Sequence, residues 1–556
     1  MPAVAAALAL AVLAPVLGRG FVLTYDMVFV PRQSLLPDAL GLGSLLPRAV
    51  PSDAVVALAT GLLPGDVLQK LLLAAALFAG ALGAGRLVPT GSLATRVVAA
   101  TAYGWTAYVA ERLFIGHWQV LLAYACLPWI TRAGLDLRHG KPKAGARLII
   151  ACAPAVLTPM AGVLAAGTAV VSAGKRGIRL SVGVSLVLNA PWLVPGLLGP
   201  AATPSTPDGV TAFAARAESW GTPVLSLLGL GGIWNADTVP ASRDNPLVPV
   251  MTVAVVAMAL LGIRVLASRW GVAPARAVLL LGAFGVTLAA LPTFPVGAAV
   301  LRWLMANGPG AGLLRDSQRW VAWWALPLAL GFALAVERAA HVLRTAAARR
   351  ALLAAAAALP IVIMPDLAWA GWGRLAAVDY PDDWARVRAV LAADPRPGDV
   401  LAVPLSTFRR FDWNDRRVQL DPARRALPRP TVIDDTLVVD GRPLPGDDRR
   451  AAAARQALTG GGDLTRLGFG WLLVEHGTPG RVDDRVLATL ERTYRGPWLS
   501  LYRLPGEVTP YPDAGPPRVP VLAADLAALA VVVLALLWWG LPAGKLARIN
   551  RNPTRE

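Results

Sequence analysis

Twelve apolar runs, separated by loops rich in arginine, constrain this chain more than any other feature. They fall at roughly 2–17, 71–85, 97–110, 118–131, 148–157, 161–173, 180–199, 249–267, 277–292, 320–336, 351–370 and 519–541. Runs of this kind favour a bilayer, where a helix satisfies its own backbone polar groups. Several are shorter than the ~20 residues of a full crossing, so neighbouring helices must shelter their ends. The expected fold class is a polytopic α-helical membrane protein of about 12 spans. The charged content agrees: 16% of the 556 residues, against about 25% in soluble domains. The first run could be a signal peptide, but it lacks a basic leading region and a clear small-residue cleavage site, so it reads as the first span.

The stretch 148–173 sets the parity. It is apolar throughout, yet basic loops flank both sides: Arg138, Lys141, Lys143 and Arg147 before it, Lys175, Arg176 and Arg179 after it. Two short helices turning at Thr158-Pro159-Met160 put both loops on one face. With the N-terminus inside, the loops 86–96, 131–147, 174–179, 264–276 and 338–350 and the tail from 542 hold 21 Arg and Lys. The opposite, much longer loops 19–70, 111–117, 200–248 and 293–319 hold 10. Basic residues favour the cytoplasmic side, so both termini, including the tail with Arg548, Arg551 and Arg555, are expected inside and residues 373–518 outside. Only five basic residues are Lys, and Ala, Gly and Pro abound. That composition suggests GC-rich coding and a bacterial source, hence a plasma membrane.

The expected domains are a bundle over 1–372, an extracytoplasmic α/β domain over 373–518, and a final span with a basic tail over 519–556. Within 373–518, helices are expected at 382–393, 449–458 and 482–492, strands at 400–403, 470–475 and 499–504, and loop over about 406–447. The net charge of +18 does not point to nucleic acid, because 373–518 is nearly balanced, with 22 basic and 20 acidic residues. The surplus lies in short loops, where it sets orientation. Cys126 and Cys152 lie in apolar runs, and the four histidines show no metal-ligand spacing. No nucleotide-binding loop, nucleophile elbow or internal repeat is visible. Neither a metal nor a cofactor is expected.

Polar residues gather in the outer loops. Asp26 follows the first run among Phe21, Tyr25 and Met27. An apolar setting raises a carboxylate's pKa towards that of a useful general base; the other reading is a helix cap or an arginine partner. Glu111, Arg112 and His117 share one short turn, as a pocket wall or as an interfacial anchor. Arg315, Asp316 and Arg319 precede another run. On a helix, Arg315 and Arg319 share a face and suit a phosphate, or they are ordinary flanking charge. Lys70 is a weaker candidate, since a lysine at a span's end often snorkels. Phe213, Arg216, Glu218, Trp220, Trp234, Asn235 and Asp237 suit sugar stacking or an interfacial aromatic belt.

These segments resemble the GT-C superfamily of membrane glycosyltransferases, and within it the bacterial arabinofuranosyltransferase-like membrane proteins. The resemblance lies in Tyr25-Asp26-Met27-Val28-Phe29-Val30-Pro31, Glu111-Arg112-Leu113, Gly116-His117-Trp118, Leu127-Pro128-Trp129 and Leu314-Arg315-Asp316-Ser317-Gln318-Arg319-Trp320. It implies sugar transfer, with inversion, from a polyprenyl-phosphate donor to a glycan or lipid acceptor on the outer face. On that resemblance Asp26 is the general base. Arg315, Arg319 and Arg112 hold the donor phosphate, and His117, Glu111, Lys70 and Asp316 line the pocket. His117 would orient the acceptor or protonate the phosphate. The first outer loop lacks the paired acids of a metal-dependent mechanism. A lipid or glycolipid transporter and a non-catalytic envelope-assembly protein are the alternatives.

Overall fold

The computed structural model describes residues 1–199, 207, 209–439, 441–512 and 515–541. The basic tail, and residues 200–206 of the long outer loop, lie outside the described residues. Among those described, eight helices are long and apolar enough to cross a membrane. The apolar runs appear as α1 (Pro2–Leu13), α2 (Gly65–Leu87), α3 (Leu93–Gly104), α4 (Ala107–Phe114), α5 (Trp118–Arg138), α6 (Ala144–Cys152), α7 (Pro159–Leu198), α8 (Leu247–Trp270), α9 (Val272–Ala290), α10 (Ala322–Val342) and α11 (Ala346–Ile363). The last run forms a helix at Arg518–Gly540.

The expected break near Thr158-Pro159-Met160 is present: α6 runs into a short turn ending at Ala155, and α7 starts at Pro159. Gly174 breaks α7 with φ 60 and ψ −171, so its 40 residues form two helices rather than one.

The bundle core is held by close packing of α5 on α2 and α7, and of α8 on α10. Hydroxyls in such a core must find internal partners. Tyr103 donates to the Tyr124 carbonyl at 2.7 Å and Tyr124 to the Tyr103 carbonyl at 2.8 Å, tying α3 to α5. α1 buries Ala5, Ala9, Val12 and Leu13 in the same core.

Residues 377–503 form a layered α/β unit. Its sheet runs Glu491–Arg495, Leu499–Arg503, Phe469–Glu475, Asp399–Val403, Thr431–Val432, the first two pairings antiparallel and the last two parallel. The central strand Phe469–Glu475 is buried at every position, as expected of a strand covered on both faces. Helix Asp383–Ala393 covers one face through Trp384, Val387 and Leu391. Helix Arg449–Gly460 covers the other through Ala451 and Ala454. The expected helix at 482–492 is corrected: only Asp484–Ala488 is helical, and Glu491–Arg495 is an edge strand. Its mixed charged and polar residues carry little strand signal, and its pairing with Leu499–Arg503 determines its form.

The first loop and this unit are built together. Phe21–Val22 pairs antiparallel with Ala377–Val378. Val28 and Val30 enter the same apolar cluster as Trp384, Val400 and Trp471. Residues 21–30 therefore join the bundle to the α/β unit at one end of the molecule.

Candidate active site

Asp26 is displayed by a tight turn wedged against the α4–α5 corner. Thr24 and Met27 exchange backbone hydrogen bonds at 3.3 and 2.8 Å, and the Asp26 amide donates to the Ile115 carbonyl at 3.1 Å. Gly116 allows this approach: its φ is +82, and a Cβ there would run into the Met27 amide and the Thr24 carbonyl. Tyr25 takes the left-handed φ of 39, costly for a non-glycine residue. It is held by the α/β unit, its amide donating to the Val418 carbonyl at 2.6 Å and its carbonyl accepting from the Leu420 amide at 2.7 Å. The Asp26 side chain remains 43% exposed.

Behind it runs a buried polar network. Asp26 Oδ2 lies 2.8 Å from His117 Nε2, and His117 Nδ1 lies 2.8 Å from Arg112 Nη1. Arginine has only donors, so Nδ1 accepts and Nε2–H donates to Asp26. Burial, then the charges of Arg319 and Arg112, push the His117 pKa down to about 4, against the pull of Asp26. The ring is therefore neutral at physiological pH. Arg112 also donates to Asp316 Oδ2 at 3.1 Å and to Gln318 Oε1. Arg319 Nε donates to Asp316 at 2.6 Å, and its Nη2 lies 3.2 Å from His117 Nε2.

The expectation that Asp26 would be raised in pKa is corrected. Burial does act upward, but the His117 hydrogen bond and the charges of His117, Arg319 and Arg425 outweigh it, leaving the carboxyl below its usual value. Asp316 is likewise held down, burial being outweighed by Arg112 and Arg319.

Three placements differ from the sequence expectation. Arg112 is fully buried, and its partners are His117, Asp316 and Gln318, so it sits inside the network behind Asp26. Arg315 and Arg319 do not share a helical face: one 3₁₀ turn ends at Leu314 and another begins at Ser317. Arg315 instead lies over the Phe213 ring at 4.8 Å, while Arg319 joins His117 and Asp316. Lys70 bonds the Gly18 carbonyl and faces Asp66 at 3.6 Å, outside the Asp26 network.

Glu111 extends the network inward. Its Oε2 accepts from Gln318 Nε2 at 3.0 Å. Glu218 lies close enough to act on it. Burial and Glu218 push Glu111 well up. Glu218 is subject to the same burial, but Arg243, the Glu111 hydrogen bond and the Gly232 amide bring it below its usual value. Arg243 Nε donates to Glu218 at 2.7 Å. Arg243 also borders a mostly apolar cleft among α3, α8, α10 and α11, lined by Trp105, Val255, Phe332 and Ile363. A chain of side chains thus links this cleft to Asp26.

Gln318, Arg243 and Arg425 are members that the sequence did not single out. Gln318 stands between Asp316 and Arg319; Arg243 and Arg425 carry no local signal. Glu218, expected among sugar-stacking or interfacial residues, instead pairs with Arg243. Among the described residues, no three His, Cys, Asp or Glu side chains gather as a metal site.

No family model matches the chain. No curated protein matches it. Two solved structures do: the cryo-EM structure of arabinofuranosyltransferase AftD from Mycobacteria, at 17% identity and a TM-score of 0.60 over 91% of this chain and 40% of that one; and a mutant of the same enzyme, at 18% identity and a TM-score of 0.57 over 91% and 42%. The chain spans about two fifths of their length. At this identity the likeness is one of fold: this chain has the fold of the matching part of mycobacterial AftD.

Proposed function

We propose that this chain is a membrane glycosyltransferase that moves a sugar from a polyprenyl-phosphate-linked donor to an envelope glycan or lipid acceptor. The observation that carries the proposal is the Asp26 carboxylate, half open to solvent at 43% exposure and held through Oδ2 by a neutral imidazole. Its other oxygen is left to meet an acceptor. The fold shared with AftD, described as an arabinofuranosyltransferase, points the same way.

In this mechanism the acceptor oxygen attacks the anomeric carbon and Asp26 Oδ1 takes its proton. The bond to the lipid phosphate breaks, and the configuration inverts. A carboxylate of low pKa suffices, because the acceptor hydroxyl acidifies as its oxygen bonds to carbon. The departing phosphate needs cations more than an acid. Arg319, 27% exposed beside His117, is the best placed. Arg315, over Phe213, is a second cation farther along the same loop. His117 holds Asp26 rather than protonating the phosphate, since both ring nitrogens are engaged. The apolar cleft ending at Arg243 suits a polyprenyl chain.

The composition favours a bacterial plasma membrane, and the loop charges favour cytoplasmic termini with this site extracytoplasmic. In this reading 1–372 is the membrane bundle, 373–518 the extracytoplasmic α/β domain and 519–556 the final span with its tail, and Val28 and Val30 contribute to the α/β core. The test is a deletion strain complemented with wild type or Asp26→Asn, read by lipid and glycan analysis. Restoration by wild type alone is expected. Full restoration by Asp26→Asn overturns the assignment, and an accumulated inward-trapped lipid in the deletion strain indicates a transporter instead.

A further inference from the structure

Beside Asp26, three separate stretches of chain bring sugar-compatible groups together. Tyr25 comes from the first loop, Asn235 and Asp237 from the long loop between α7 and α8, and Phe408 and Arg410 from the α/β unit. The Tyr25 hydroxyl faces Asp237 Oδ2 at 3.4 Å, a long contact, with Asn235 beside it. The Phe408 ring meets Tyr25 edge to face, centroids 6.0 Å apart at 67°. Tyr25, Asn235 and Phe408 are half-buried; Asp237 and Arg410 are exposed.

None of these contacts closes the site. A core tyrosine bonds its partner tightly, as Tyr103 and Tyr124 do at 2.7 and 2.8 Å. Here the hydroxyl is loosely held, and Asp237 and Arg410 face water. Sugars have an apolar CH face and a rim of hydroxyls. Aromatic rings accept the former, and carboxylates, amides and guanidiniums bind the latter. The position is also specific: Tyr25 precedes Asp26 directly, and its backbone is pinned on both sides by residues 418–420.

We infer that Tyr25, Phe408, Asn235, Asp237 and Arg410 form an acceptor subsite for a neutral oligosaccharide, gripping the sugar unit next to the one whose hydroxyl faces Asp26. This rests on the transferase reading above and assigns the α/β unit a part in acceptor choice. Asp237 and Arg410 bind hydroxyls, while Tyr25 and Phe408 cover an apolar sugar face. The subsite takes no part in donor binding.

The experiment titrates the purified full chain with a linear arabinofuranosyl tetrasaccharide, followed by saturation-transfer NMR, for wild type, Asp26→Asn, Asp237→Asn and Phe408→Ala. Wild type is expected to bind saturably. Asp237→Asn and Phe408→Ala are expected to weaken binding about tenfold or more, the weight of one charge-assisted hydrogen bond or more. Asp237→Asn, at an exposed position, guards against mere misfolding. Equal binding by all four proteins, or no saturable binding by wild type, overturns the subsite. Failure of the transferase reading looks different: transfer survives in Asp26→Asn whatever the binding pattern.

Discussion

The two ends of α5 carry acid-centred clusters of opposite design. Asp136, near its C-terminal end, is 2% exposed and faces Arg132 at 3.7 Å, Lys141 at 2.9 Å and Arg147 at 2.8 Å. The N-terminal end begins at His117, which donates to an Asp26 that is 43% exposed. At the first end, three cations surround a closed-off acid. At the second, one neutral ring and more distant cations stabilise an acid that stays open. An acid enclosed by cations has nothing left to offer a substrate; one held through a single oxygen keeps a site for a proton. The first arrangement ties loops to a helix end, and the second keeps a carboxylate for chemistry.

The largest expected effect breaks the open end. Asp26→Asn should lower transfer by about 10²–10⁴, the usual contribution of a general base, with thermal unfolding in detergent unchanged. His117→Ala should lower kcat by roughly ten- to a hundredfold, because Asp26 loses the His117 hydrogen bond and its aim. Initial rates at saturating donor check this, and a change in KM alone would reassign His117 to binding.

At the closed end, Asp136→Asn should leave transfer per folded molecule unchanged and cost about 1–3 kcal/mol of stability. The estimate is modest because Arg132, Lys141 and Arg147 remain partly solvated. Chemical denaturation is the measurement, and lost activity without lost stability would make the two ends alike. The smallest effect is Arg425→Gln, expected to change the transfer rate by less than about tenfold. Arg425 sits on the α/β unit, pairs with Asp53 at 3.2 Å, donates to the Val28 carbonyl at 3.1 Å, and reaches the Asp26 carboxyl through charge.

Sequence reading reached the two ends unequally. The spans and the strands at 400–403, 470–475 and 499–504 were legible because apolar runs report burial directly. Asp26, Glu111, Arg112, His117, Asp316 and Arg319 stood out as polar groups between apolar runs, and the fold joins all of them in one network. Their roles were not legible, because they depend on partners far along the chain. Asp26 is low in pKa through His117, 91 residues away. Arg112 reads as a substrate cation until Asp316 and Gln318, more than 200 residues on, enclose it. Glu218 and Arg243 pair across a loop with no periodic pattern. The edge strand Glu491–Arg495 was missed because its polar residues express no face. The entry of Val28 and Val30 into the α/β core could not be read, because their cluster partners begin at Trp384.

The central claim is that Asp26 is an ionised base kept so by His117. The most direct test is the pH dependence of kcat/KM for transfer by wild type and His117→Ala. Asp26 titrates below its usual value, and His117 is neutral above about 4. Wild-type activity should therefore hold as pH falls from 8 to about 5, with the acid limb below the ordinary aspartate value of about 3.9. Loss of the His117 hydrogen bond leaves burial to act on Asp26, so the acid limb of the variant should move to higher pH. A wild-type limb near or above about 6, in the range of an unperturbed histidine, or a limb unmoved in His117→Ala, would contradict the account.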